Sequence, residues 1–94
     1  NRRFFFNRRL SDLPETYIPE FRQNEELRAK YGRAYYRIGS IRYENGRDEA
    51  AEPYLRMAFL YGYDAKTAEY LLDYYGKRGL RAELDLVRRF ARQP

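Results

Sequence analysis

Two turn signals constrain this chain more than any other feature. Asn45-Gly46 and Arg78-Gly79 each break a helical pattern, and their glycines lie 33 residues apart (79 − 46). Ahead of the first break, Leu27, Tyr31, Ala34/Tyr35, Ile38 and Ile41 step by three or four residues, the spacing of one helix face. Behind it come Ala51, Tyr54/Leu55, Ala58 and Phe59, then Ala68, Leu71, Leu72 and Tyr75, then Leu84, Val87, Phe90 and Ala91. A glycine just past the last periodic residue is a natural helix stop. The pattern predicts an all-α chain with two antiparallel helix hairpins, at about 25–62 and 64–93.

The helix boundaries have local reasons. Asn24 is a cap with Glu25 and Glu26 behind it, and Asp48 is a cap followed by Glu49; both place carboxylates near positive helix ends. Pro53 falls about five residues into the second helix, so that helix either starts later or bends there. It ends at Gly62. Asp64 caps a third helix near 65–77, and a fourth runs from about Arg81 to Arg92. Gly39 lies next to Ile38 on the first stripe, where a missing side chain admits a neighbouring helix.

Residues 1–23 read differently and form a separate basic-aromatic arm ahead of a helical domain at 24–94. Phe4, Phe5 and Phe6 are consecutive, so no single helix or strand face buries all three. Pro14 and Pro19 push the preceding residues towards extended backbone, which predicts irregular chain from Leu13 to Pro19. Such an arm either folds onto its own domain or inserts into a partner or a membrane surface. In the second case Phe4–Phe6 are the apolar contacts, and Arg2, Arg3, Arg8 and Arg9 meet acidic groups or lipid phosphates.

Composition removes several function classes. There is no Cys and no His, which excludes thiolate nucleophiles, imidazole bases, and zinc sites built on nitrogen or sulfur. No phosphate-cradling glycine loop and no calcium loop is present. The expectation is therefore no catalysis, no metal and no cofactor. No run of 18 apolar residues and no signal-peptide pattern occurs, and the start at Asn1 suits a processed product or a piece of a longer protein. The net charge of +5 comes in alternating blocks: +4 over 1–11, −4 over 12–26, +5 over 27–47, −4 over 48–75 and +4 over 76–94. Blocks of opposite sign suit complementarity between neighbouring elements or subunits better than one continuous basic face. Arginine outnumbers lysine 16 to 3, and arginine with tyrosine is interface chemistry.

With these residues in view, the chain resembles the tetratricopeptide repeat family, with Sel1-like repeats as close relatives. The family pattern is W-x2-L-G-x2-Y, then Ala-x3-Phe, Ala and Pro. Tyr35 stands in place of Trp, Ile38 in place of Leu, and Gly39 matches the glycine; Ala51, Leu55 and Ala58 follow at the family spacing. Arg42 replaces the last Tyr, with Tyr43 beside it, and Tyr63 replaces Pro. The second unit keeps Ala68, Leu71, Tyr75, Leu84 and Ala91, but has Leu72 for Gly and Arg88 at a packing position. The resemblance covers roughly 32–91 and implies a TPR-like α-solenoid that binds protein on the face formed by the first helix of each unit. That face would carry Arg33, Tyr36, Ser40, Tyr43 and Glu44, then Lys66, Glu69, Asp73, Gly76 and Lys77.

Two units are fewer than the roughly three a free-standing solenoid needs. Exposed apolar surface should therefore be covered by a partner subunit or by the arm. The leading reading is a scaffold subunit of a larger assembly, with Phe4, Phe5, Phe6, Arg8, Arg9, Arg33, Tyr36, Tyr43, Lys66, Glu69 and Asp73 as partner contacts. The alternative is a nucleic-acid module that grips phosphates with Arg and stacks bases on Tyr.

Overall fold

The computed structural model describes residues 9–13, 17–63 and 65–91. Among these the chain is all-α, with no strand. A 3-10 turn at Leu10–Asp12 precedes α1 (Tyr17–Arg22), α2 (25–44), α3 (Asp48–Leu60), α4 (Ala65–Arg78) and α5 (Arg81–Ala91). No helix among the described residues is long and apolar enough to cross a membrane.

Helices α2/α3 and α4/α5 form two successive hairpins, and one stop device ends α2, α3 and α4. In each, a glycine with positive φ sits just past the helix: Gly46 at 79°, Gly62 at 73° and Gly79 at 66°. The next amide then donates back across the final turn, Arg47 N to Arg42 O (2.9 Å), Tyr63 N to Ala58 O (3.0 Å) and Leu80 N to Tyr75 O (3.0 Å). These bonds satisfy carbonyls that the helix end leaves unpaired, in a conformation that a Cβ would strain.

Helix α3 lies at the centre. Ala51, Leu55, Met57, Ala58, Phe59, Leu60 and even Arg56 are buried, so its second half is enclosed on all sides. Pro53 sits inside α3, which starts at Asp48 regardless; the lost amide bond is tolerated within a helix held by packing. Arg47, not Asp48, occupies the cap position.

Helix α2 departs from its apolar stripe. Its 28–32 stretch is π-helical, flanked by α-helix at Glu25–Leu27 and Arg33–Glu44. The buried positions are Gly32, Tyr35 and Gly39, whereas Ile38 and Ile41 are 40% and 58% exposed and Ala34 is exposed. The reason is the Gly39 contact. A Cβ there would lie 2.7 Å from Leu55 Cγ and 3.1 Å from the Leu55 backbone N, so α3 approaches along the bare backbone. Centring α3 on Gly39 rotates Ile38, about 100° away around the helix, towards solvent.

The stretch predicted as irregular is partly helical, because α1 runs through Ile18 and Pro19. Pro19 falls in the first turn, where its missing amide had no partner within the helix. Leu10, Leu13 and Ile18 are buried in the same core as α3 to α5, so the core draws on residues from both sides of the 23/24 boundary. Arg22 secures α1: its guanidinium donates to Phe59 O (2.8 Å) and Phe90 O (2.9 Å) and lies 4.6 Å from the Phe59 ring centroid. A cation is suited to those carbonyls, which belong to the C-terminal turns of α3 and α5. Burial, with Arg28 nearby, lowers the Arg22 pKa from its ordinary value.

Candidate functional site

Tyrosines line both flanks of α2. On one flank Tyr31 and Tyr35 stack on Tyr61 with centroids 6.1 and 6.2 Å apart, and Tyr35 meets Tyr54 at 6.3 Å. This row belongs to the core. On the other flank Tyr36 and Tyr43 face Tyr63 and Tyr70, at 5.5 Å for Tyr36–Tyr63, 6.3 Å for Tyr36–Tyr70 and 5.1 Å for Tyr43–Tyr70. All four of these rings are only half-buried. The α-helical period produces both rows: residues 31 and 35 share one face, and 36 and 43 share another seven residues apart.

Between α2 and α4 this second row borders a groove of about 420 Å³ lined by Tyr43, Glu44, Lys66, Glu69, Tyr70 and Asp73. A second groove of about 340 Å³ shares Glu44 and Tyr70 and adds Tyr36, Ser40, Ile41 and Asn45. The ring hydroxyls are tied across the groove. Tyr43 Oη donates to Asp73 Oδ2, and Tyr70 Oη donates to Glu44 Oε1 at 2.9 Å. Lys77 Nζ lies 3.0 Å from Asp73 Oδ2. These bonds orient the rings, which stay half-exposed.

The phenol ionisations report the same bonds. Partial burial, then the bond to Glu44, pushes Tyr70 up to about 12. Burial and Asp73 raise Tyr43 as well. The Tyr43 hydroxyl and then Lys77 hold Asp73 below the usual carboxylate range. At neutral pH the Tyr43 and Tyr70 phenols are therefore neutral and the Asp73 carboxylate is ionised, an arrangement suited to recognition.

The structure brings Tyr43, Lys66, Glu69 and Asp73 into one groove and Tyr36 into the adjoining one. Arg33 is exposed and lines neither. Phe4, Phe5, Phe6 and Arg8 lie outside the described residues. Arg9, a partner contact if the arm inserts into another chain or a membrane surface, pairs here with Glu83 of α5 at 2.5 Å, as an arm folded onto its own domain would. That pair has a local cause: Leu10 is buried beside α5, which carries Arg9 to the enclosed Glu83 carboxylate. The bond to Glu83 raises the Arg9 pKa.

Tyr70 went unrecognised as a site residue, although its spacing was visible: 66, 70, 73 and 77 step by three and four along one face of α4. Ile41, on the apolar stripe of α2, lines the second groove.

Compared with protein-family models, curated proteins and solved structures, the chain gives no match.

Proposed function

We propose that this chain is a non-catalytic protein-interaction subunit, built as two units of a TPR-like solenoid, that holds a partner segment in the groove between α2 and α4. The observation that carries this reading is the groove itself. It lies between the first helices of successive hairpins, and its tyrosines are fixed by hydroxyl–carboxylate bonds yet remain half-exposed. Rigid tyrosines supply contact area at low entropic cost, which is why they dominate binding hot spots.

Two further observations support the repeat reading. Gly39 and Leu55 meet at the close approach that the family glycine implies, and Ala51 and Ala58 are buried at the family positions. Besides the substitutions at Arg42, Tyr63, Leu72 and Arg88, one departure is in burial: Ile38, at the family leucine position, is 40% exposed. Three carboxylates on the groove favour a protein ligand over the phosphates of a nucleic acid.

The test is parallel affinity capture with the full chain, Tyr36→Ala/Tyr70→Ala, and Arg89→Ala as an off-groove control. A partner retained by the first and third baits and lost by the second supports the reading. A partner set identical for all three baits removes the groove from the interface.

A further inference from the structure

We infer that the ligand of this groove is an arginine-bearing peptide segment, an inference that rests on the interaction reading above. The chain as a whole carries +5, which disfavours a cationic ligand at long range. The two joined grooves differ: their lining holds Glu44, Glu69 and Asp73 against Lys66 alone. Asp73 is already matched by Lys77 and by the Tyr43 hydroxyl, both at Oδ2. Glu44 and Glu69 are then the carboxylates left for a ligand. Glu44 commits only Oε1, to Tyr70, and Glu69 makes no hydrogen bond or ion pair among the described residues.

The neighbours of those carboxylates select the cation. Glu44 and Tyr70 form the wall common to both grooves, with Tyr36 on one side and Tyr43 on the other. Lys77 Nζ already lies 5.9 Å from the Tyr43 centroid, so a guanidinium that pairs with Glu44 would stack on Tyr36 or Tyr70; its planar fork suits carboxylate and ring together better than a compact ammonium does. The same pairing already recurs inside this molecule: the Arg42 guanidinium lies 4.6 Å from the Tyr54 centroid and that of Arg78 4.4 Å from Tyr74. Beside Glu44, exposed Ile41 offers an apolar contact for the ligand residue next to the arginine. An alternation of apolar residue and arginine along an extended segment fits both grooves.

The experiment uses the full chain labelled with nitrogen-15 and three hexapeptides that alternate leucine with arginine, citrulline or glutamate. Citrulline keeps the shape of arginine and removes its charge. The expected result is that the arginine peptide shifts the amides of Tyr36, Glu44, Glu69 and Tyr70. The citrulline peptide should bind about tenfold more weakly, from the loss of one partly exposed cation–π and ion-pair set. Glu44→Gln/Glu69→Gln should lose the same factor for the arginine peptide alone; glutamine preserves the acceptor for the Tyr70 hydroxyl and the fold. Equal affinity of the arginine and citrulline peptides, or preference for glutamate, overturns the arginine inference and leaves the groove reading standing. Shifts outside the groove for every peptide overturn both. Groove shifts that grow with protein concentration, without peptide, place a second copy there and overturn the inference.

Discussion

Tyrosine–carboxylate bonds occur at two depths in this molecule. Tyr75 Oη donates to Glu52 Oε2 at 2.5 Å in the interior, where the Arg56 guanidinium also grips Glu52 through Nε (3.0 Å) and Nη2 (2.9 Å). Tyr43–Asp73 and Tyr70–Glu44 use the same groups at the rim of a groove. The Arg56 side chain is 4% exposed and that of Asp73 48%. Burial changes what one chemistry contributes. In the interior, each charge depends on its partner, because a lone buried ion has lost its water. At the rim, water replaces any lost partner, so the bond mainly orients a ring.

The largest expected effect separates these two cases. Glu52→Ala removes the carboxylate that the buried Arg56 guanidinium and the Tyr75 hydroxyl share, and should destabilise by about 3 kcal/mol. Asp73→Ala should cost less than about 1 kcal/mol. Urea unfolding of both variants checks this; similar midpoints would erase the distinction between interior and rim.

A second contrast uses two helical glycines. Gly39→Leu should destabilise by about 1–3 kcal/mol despite better helix propensity, because Leu55 occupies the space. Gly76 has nothing within 4 Å of a Cβ, so Gly76→Ala should stabilise by about 0.5–1 kcal/mol. Thermal melts in opposite directions are expected. A higher melting temperature for Gly39→Leu would place that residue away from α3.

The smallest effect is pH dependence at the rim, which solvent screens. A phenol raised in the folded state contributes stability that is complete below the unfolded value of about 10 and is lost as pH rises through the folded one. For Tyr70 that window runs up to about 12. Asp73 has the opposite sign: lowered on folding, it contributes above its unfolded value of about 3.9 and loses that contribution as pH falls. Phenolate absorbance and unfolding midpoints against pH should show Tyr70→Phe flattening the alkaline limb only, and Asp73→Asn the acid limb only.

Much of the architecture was legible in residue order alone. Asn45-Gly46 and Gly79 mark helix ends by backbone conformation, a local property that needs no neighbour to read. The four long helices and the Gly39 contact followed from spacing, because three- and four-residue steps place residues on one face whatever packs there. Which face became core was settled only in three dimensions. Ile38 and Ile41 are more apolar than Gly39, yet Gly39 is buried, since close approach rewards absence of a side chain as well as hydrophobicity. Helix α1 was hidden by Pro19, whose breaking effect depends on its place within a turn. The Tyr75–Glu52 bond and the Arg9–Glu83 pair were also invisible, because they join residues 23 and 74 positions apart. The groove likewise needed tertiary structure: Glu44 and Tyr70 come together only when α2 and α4 lie side by side, and no local rule encodes that distance.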